Sequence, residues 1–160
     1  MHVPVLDDID RRILDIFQED SGITNVELAR RMGLAPATTL DRVKKLEQRG
    51  IIRGYVALVD QAMVGKGTTA FVAVSLASHQ REQVDRFRDS VRKLPEVLEC
   101  YHVSGEYDYL LKVVAEDIRR YEDFLLNKLT ATPNVGTIYT SFVLSTVKHE
   151  TKIPIDRNHL

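Results

Sequence analysis

Apolar positions in the first third of the chain recur with helical spacing, and glycines interrupt the pattern. The stretch from Leu6 to Glu19 carries apolar residues at i, i+4, i+7 and i+8, which place one stripe against a core. Asp7 is the predicted N-cap of this helix. A second helix begins after Thr24, which forms a capping-box pattern with Glu27, and it ends at Gly33. The apolar stripe of the first helix consists of Ile9, Ile13, Ile16 and Phe17.

A third helix is predicted between Pro36 and Gly50, because proline suits a first helical turn and glycine suits a helix end. Its apolar residues Leu40, Val43 and Leu46 are expected to face the two earlier helices. The other side carries small or hydroxylated residues near its start and long cations further along. That gradient is typical of a recognition helix whose tip enters the major groove of DNA while its flank contacts phosphates. The residues predicted to contact DNA are Pro36, Ala37, Thr38, Thr39, Arg42, Lys45 and Arg49.

Residues 51–59 are rich in β-forming side chains, so they predict a strand, and a partner segment would make it a small wing. The following residues, up to Gly67, contain two glycines and no regular period, which indicates a turn or linker. The predicted boundaries are residues 1–52 for a helix-turn-helix domain, 53–67 for the strand and linker, and 68–160 for a second domain.

From Thr68 onward, the pattern changes to strands that alternate with two amphipathic helices. The order is strand, helix, two strands joined by a short hairpin at residues 104–106, helix and strand. This βαββαβ order predicts a ferredoxin-like domain. The predicted fold class is therefore α+β, with an N-terminal helix-turn-helix domain that precedes the ferredoxin-like domain in the sequence. The predicted strands are 68–77, 97–103, 107–115 and 135–147, and the predicted helices are 81–94 and 117–129.

The last predicted strand is apolar on both of its faces. One alternating set contains Ile138 and Phe142, and the other contains Tyr139 and Val143. A sheet with one face in water should carry polar residues on that side. We therefore expect the second face to be buried against another copy of the chain, most simply in a two-fold dimer. A monomer whose long loops cover this face is the alternative.

Composition and charge narrow the class of protein. The 160 residues are 44% hydrophobic and 28% charged, as in globular proteins, and no apolar run is long enough to cross a membrane. The first eight residues lack the features of a signal peptide, and the single Cys100, expected to be buried, fits a reducing compartment. A cytoplasmic location is therefore expected.

The distribution of charge says more than the net charge of −1. Between Arg30 and Arg53 the chain carries seven bases and two acids. Such a local basic patch suits contact with phosphates. A solvated helix face is the alternative interpretation of the same charges.

The chain resembles one known family along nearly its whole length. The matching motifs are LDDIDRRIL, ITNVELARRMGLAPATTLDRVKKLEQRGII, RGYVALVD, LECYHVSGEYDYLLKV and YEDFLLNKLTATPNV. They are similar to those of the leucine-responsive regulatory protein/asparagine-synthesis regulator (Lrp/AsnC) family of bacterial and archaeal transcription factors. The resemblance implies double-stranded DNA as a partner, an amino-acid effector, and dimers that assemble further into tetramers or octamers. No cofactor and no metal are expected.

The resemblance also implies where the effector binds. The family's Gly-x-x-Asp motif matches Gly105 to Asp108 in this sequence, so this loop is expected to line a site between subunits. A carboxylate beside a glycine turn can hold an ammonium group through charge-assisted hydrogen bonds. Hydroxyls on the last strand are further candidates, with cross-strand hydroxyl pairing as their alternative role. The predicted effector-binding residues are Gly105, Tyr107, Asp108, Thr140 and Ser141.

Two other classes of function fit the sequence less well. Two features suggest a small enzyme: a possible phosphate loop around Lys66, and a possible hydrolytic trio of His102, Ser104 and Asp108. The first lacks the required glycine spacing, and no nucleophile elbow surrounds Ser104. The five histidines are scattered and give no metal-ligand spacing. A module that senses a small molecule and acts through protein partners, rather than through DNA, is the remaining alternative.

Overall fold

The computed structural model describes residues 5–155 and separates into two compact units. Within these residues, a helical unit comprises 5–58 and 148–155, and a sheet unit comprises 59–147. None of the helices in this described part is long and apolar enough to cross a membrane.

The helical unit contains the three predicted helices. Helix α1 spans Asp8–Glu19, α2 spans Asn25–Met32 and α3 spans Pro36–Gln48. The side chain of Asp7 accepts the backbone N–H of Asp10, and that of Thr24 accepts the N–H of Glu27, so both predicted N-caps are confirmed. The helices pack around one apolar core that consists of Ile13, Leu14, Leu28, Met32, Val43 and Leu46.

Of the three residues predicted to face inward on α3, Val43 and Leu46 are buried, whereas the prediction for Leu40 is wrong. Thr39 is 0% exposed, whereas Leu40 is 42% exposed. The buried set is therefore Thr39, Val43 and Leu46, with spacings of four and three residues that follow one helical face. Thr39 tolerates burial because its hydroxyl donates to the Ala35 carbonyl at 3.2 Å.

The strand predicted at residues 51–59 is absent from the structure. This segment has no regular secondary structure, because no other strand in the described part of the chain supplies a hydrogen-bonding partner. Tyr55 packs its ring against Phe17, with 5.5 Å between centroids, and its hydroxyl donates to Glu47 at 2.9 Å. Partial burial and the Glu47 carboxylate raise the pKa of Tyr55 to about 12.

The sheet unit has the predicted βαββαβ order. Its elements are β1 (Thr68–Leu76), α4 (Arg81–Val91), β2 (Val97–His102), β3 (Tyr109–Ala115), α5 (Ile118–Phe124), a π-helical extension (Leu125–Leu129) and β4 (Val135–Phe142). The strands lie in the order β2-β3-β1-β4, and all neighbours are antiparallel. The predicted α+β fold is therefore confirmed.

The core of the sheet unit lies between one face of the sheet and its helices. Alternate residues of β1 and β3 enter it, and Phe87 of α4 and Phe124 of α5 cover them. The fully buried strand residues are Ala70, Val72, Val74, Leu111 and Val113.

Two expectations about the sheet unit need correction. Strand β4 ends at Phe142 rather than at residue 147, because Phe142 pairs with Ala70 near the start of β1 and little strand remains beyond it. Cys100 is exposed on the edge strand β2 rather than buried. Partial desolvation raises the pKa of its thiol.

The C-terminal segment also differs from the predicted domain division. Residues 148–155 follow the sheet unit in the sequence, yet they pack on the helices of the helical unit. Ile155 lies against the apolar core there. The sequence pattern could not assign this segment, because it has no periodic element of its own.

Candidate functional site

The start of α3 presents an exposed surface of small side chains. Pro36 occupies the first helical turn after Ala35, which makes no side-chain cap. Asn25 of α2 donates to the Pro36 carbonyl at 2.9 Å and so joins the two helices at this end. Pro36, Ala37 and Thr38 are all exposed. Small residues at an uncapped helix N-terminus allow close approach of another molecule, and the unpaired N–H groups there favour an anionic one.

Arg42 lies further along α3, where two carboxylates of α1 bind it. Its Nη1 atom is 2.7 Å from Asp7 Oδ2 and 2.8 Å from Asp10 Oδ1. Partial burial works to raise the pKa of Asp7, but the Asp10 N–H and the Arg42 guanidinium outweigh it and hold that pKa below its ordinary value. Arg42 is only 27% exposed, and its Nη1 group is engaged within the fold by both carboxylates.

The remaining predicted cations of α3 lie on the surface. Lys45 pairs with Asp41 one turn earlier, at 2.7 Å. Arg49 donates to the Val5 carbonyl at 3.0 Å. Lys44 is also exposed, and the sequence analysis missed it. The signal was available, because Lys44 follows Ala37 by seven residues and so lies on the same helical face.

Five of the seven residues predicted to contact DNA are therefore exposed, on α3 or at its C-cap. Arg42 is largely engaged with α1, and the buried Thr39 cannot reach a base edge. The exposed residues are Pro36, Ala37, Thr38, Lys45 and Arg49.

A second candidate site surrounds the hairpin between β2 and β3. Gly105 has a φ of 129°, which few other residues adopt, so it permits the turn. Asp108 leaves the hairpin with its carboxylate bonded on both oxygens. Oδ2 accepts the N–H of Leu76 at 2.7 Å, and Oδ1 lies 2.8 Å from His79 Nε2. The hydrogen bond from the Leu76 N–H has the largest lowering effect on the pKa of Asp108, and the bond with His79 lowers it further. The carboxylate is therefore charged near neutral pH.

The loop after β1 brings His79 to this carboxylate. Asn134 holds the loop, since its side-chain amide accepts from the Ser78 N–H and donates to the Ser78 carbonyl, both at 2.8 Å. His79 is 71% exposed and is a site residue that the sequence analysis did not identify. It lies 29 positions from Asp108 in the sequence, and no local motif links the two.

The other predicted effector-binding residues lie on different faces of the sheet. The ring of Tyr107 packs against Tyr139 of β4 at 5.2 Å between centroids. The Thr140 hydroxyl lies 2.5 Å from the Tyr121 hydroxyl on the helix-covered face. Ser141 follows Thr140 in β4, so its side chain points to the opposite face. The structure therefore does not bring Thr140 and Ser141 together in one pocket.

The residues considered for enzyme chemistry have other partners. Asp108 bonds to His79 rather than to His102, and the His102 ring packs on Tyr109 at 5.1 Å. Lys66 pairs with Glu116 at 3.1 Å. Among residues 5–155, no group of three or more His, Cys, Asp or Glu side chains could hold a metal ion.

Comparison with known proteins matches both units to characterised families. Residues 6–53 match the family model of a winged helix-turn-helix DNA-binding domain. Residues 69–153 match the model of the Lrp/AsnC ligand binding domain. Together these two models cover most of the chain.

Whole-length relatives agree with the domain matches. The transcriptional regulator AzlB of Bacillus subtilis is 38% identical over 95% of this chain and 97% of its own. The leucine-responsive regulatory protein of Rhizobium meliloti is 41% identical over 94% of this chain and 96% of its own.

Solved structures give the same result. A Neisseria meningitidis regulator, NMB0573 in complex with L-methionine, superposes with a TM-score of 0.89 at 41% identity, covering 94% of this chain and 97% of that one. Escherichia coli AsnC superposes with a TM-score of 0.87 at 28% identity, covering 94% of this chain and all of that one.

Proposed function

This chain belongs to the Lrp/AsnC family of transcriptional regulators, and from that premise we propose that α3 reads the major groove of DNA under the control of an amino-acid effector. The observation that carries the proposal is the exposed, uncapped start of α3, where Ala37 and Thr38 can approach base edges. Threonine can hydrogen-bond a base edge or contact a thymine methyl group. Lys44, Lys45 and Arg49 follow on the flank, where they would contact phosphates.

The proposed effector site lies at the Gly105–Asp108 loop. The Neisseria relative binds L-methionine, and an amino acid would place its ammonium group near the charged Asp108. His79, 2.8 Å from Asp108, would border the effector's carboxylate or side chain. Tyr107, packed on Tyr139, supplies an apolar wall. Ser141 remains a proposed contact, whereas Thr140 would first have to give up its hydrogen bond with Tyr121.

We further propose that two copies associate through the sheet face opposite the helices. Phe71, Tyr101 and Tyr139 lie on this face and are 39%, 52% and 54% exposed. Three large rings on one face are unusual for a surface that faces water, and a two-fold copy would bury them. Dimers would then place two α3 helices on successive turns of DNA, and tetramers or octamers would extend the array. The proposed location is the cytoplasm, and the protein is proposed to have no enzymatic activity.

Binding to duplex DNA tests the first part of this proposal. The full-length protein is used to enrich sequences from a random duplex library, and the affinity for the enriched duplex is measured by fluorescence anisotropy at increasing salt. We expect half-sites separated by about one helical turn or a multiple of it, and a steep loss of affinity with salt. No binding by the folded protein at low salt would overturn the proposal.

A thermal-shift screen tests the effector site. Each of the twenty amino acids, with L-methionine first, is added to the protein in the absence of DNA. A ligand at a hundred times its dissociation constant should stabilise the protein by ~2.7 kcal/mol. The same ligand should give no shift with Asp108→Ala, whose own unfolding temperature serves as the baseline. A normal ligand-induced shift in Asp108→Ala would contradict the assignment of this site.

A further inference from the structure

The chain beyond β4 returns to the first helix, where its backbone forms hydrogen bonds with a side chain of that helix. Gln18 of α1 donates from Nε2 to the Ile153 carbonyl at 3.0 Å. In return, the Ile153 N–H donates to Gln18 Oε1 at 2.7 Å. The side-chain amide thus satisfies both polar groups of one peptide residue, as a neighbouring strand would.

Charges and apolar contacts strengthen this attachment. Lys152 Nζ lies 2.5 Å from Glu19 Oε1 and 3.8 Å from Asp15 Oδ1. The hydrogen bond with Glu19 raises the pKa of Lys152, and the same bond lowers the pKa of Glu19, so both groups are charged at neutral pH. Ile155 packs against the apolar core of the helical unit. We call residues 152–155 and their contacts on α1 the C-terminal clamp.

The opposite end of α1 holds the recognition helix. Asp7 and Asp10, at the N-terminal end, bind Arg42 of α3. The clamp contacts Asp15, Gln18 and Glu19, at the C-terminal end. One helix of twelve residues, α1, therefore contacts both the segment that follows β4 and the helix proposed to read DNA.

We propose that the C-terminal clamp positions α1, and through it Arg42 and α3, and that it is a route by which the ligand-binding domain acts on DNA binding. This inference rests on the proposed effector-controlled DNA binding. The clamp is an intramolecular contact. The fraction of molecules in which residues 152–155 are bound to α1 therefore depends on their effective concentration near α1, which the preceding segment sets. Residues 143–147 leave β4 directly and lead to the clamp. A ligand that changes the position or assembly of the sheet changes this effective concentration, and with it the placement of α1.

Charge reversal in the full-length protein tests the clamp. Lys152→Glu places a negative charge beside Asp15 and Glu19 and should release the segment. Lys148→Glu is the matched control, because it makes the same charge change on an exposed lysine that forms no ion pair within residues 5–155. Gln18→Ala removes both hydrogen bonds to the Ile153 backbone without changing any charge, and it serves as the second variant. The double variant Glu19→Lys with Lys152→Glu restores an opposite pair and serves as the rescue.

Three quantities are measured for each variant. They are the amide hydrogen exchange of residues 15–19, the affinity for the enriched duplex, and the change in that affinity when a ligand is added. The ligand is L-methionine or the amino acid that gives the largest thermal shift. Lys152→Glu and Gln18→Ala should speed exchange and weaken DNA binding by about fivefold relative to Lys148→Glu. They should also reduce the ligand-induced change in affinity, and the double variant should restore all three values. A purely structural contact would leave the ratio of affinities with and without ligand unchanged.

The possible failures are distinguishable. If the wild-type protein binds no duplex, the proposed function fails, whereas the exchange measurement still reports whether the clamp holds α1. If Lys152→Glu matches Lys148→Glu in exchange, affinity and ligand response, or if the double variant shows no recovery, the clamp proposal is overturned.

Discussion

The guanidinium of Arg42 in α3 lies 2.8 Å from a carboxylate oxygen of Asp10, so a cation of α3 is bound by α1. Asp10 is largely buried, and Asp7 contributes a second oxygen to the same nitrogen. Arg42, which the sequence predicted to contact DNA, thus orients α3 within the helical unit.

This pairing predicts that Arg42 and the lysines of α3 affect DNA binding differently. Lys44→Ala and Lys45→Ala should each reduce the slope of log affinity against log salt by about one, because each removes a phosphate contact. Arg42→Ala should change this slope much less. It should instead lower the free energy of unfolding by about 1–2 kcal/mol, since Asp10 loses its partner in a largely buried position. Anisotropy titrations and urea unfolding measure the two effects. A full unit of slope lost in Arg42→Ala, without loss of stability, would contradict this assignment.

Adjacent threonines on α3 should respond in opposite ways. Thr38 is exposed and Thr39 is buried, although both were predicted to contact DNA. Thr38→Ala should weaken binding to the enriched duplex by about 1 kcal/mol and leave stability unchanged. Thr39→Ala should lower the free energy of unfolding by about 1–2 kcal/mol, because it removes buried volume and a hydrogen bond. The two variants control for each other, and the prediction fails if Thr39→Ala changes sequence preference at unchanged stability.

The carboxylate of Asp108 should make the stability of the sheet unit depend on pH. Its pKa is lowered by the Leu76 N–H and His79, so its stabilisation is fully present above the ordinary carboxyl pKa, near pH 4, and is lost as the pH falls through the lowered value. Asp108→Asn keeps one acceptor but cannot ionise. It should cost about 1 kcal/mol at pH 7, and this difference from wild type should shrink below about pH 4. Urea unfolding at several pH values measures the difference. Asp89→Asn, on the surface of α4, is the control, and a difference that does not vary with pH would refute the role of the charge.

Gly136 should not tolerate a side chain. A Cβ atom there would lie 2.8 Å from the carbonyl oxygen of Ser75, where β4 pairs with the end of β1 at an irregularity in the register. Gly136→Ala should therefore lower the free energy of unfolding by about 1–3 kcal/mol. Gly67→Ala, whose Cβ would meet no atom within 4 Å, should change it by less than about 0.5 kcal/mol. Equal unfolding temperatures of the two variants in calorimetry would contradict this prediction, because they would mean that β1 and β4 accommodate the added methyl group without loss of stability.

Local features of the chain were predictable because their causes are local. Asp7 and Thr24 cap helices through bonds that span three residues, and Pro36 begins α3 through its own ring geometry. The βαββαβ order follows from alternation within each strand and from the apolar faces of two helices. The Lrp/AsnC resemblance was visible for the same reason, since its motifs are continuous in sequence.

The sequence by itself thus determined the helices of the first domain, the succession of strands and helices in the second, and the family. Tertiary structure alone decided which of Thr39 and Leu40 is buried, because a one-residue shift of the apolar face fits the spacing of α3 nearly as well. It also decided that residues 51–59 form no strand, since a strand requires a partner that no local pattern specifies. The contacts of Asp108 with His79, and of Gln18 with Ile153, join residues 29 and 135 positions apart. Such contacts arise only when the folded chain brings distant segments together.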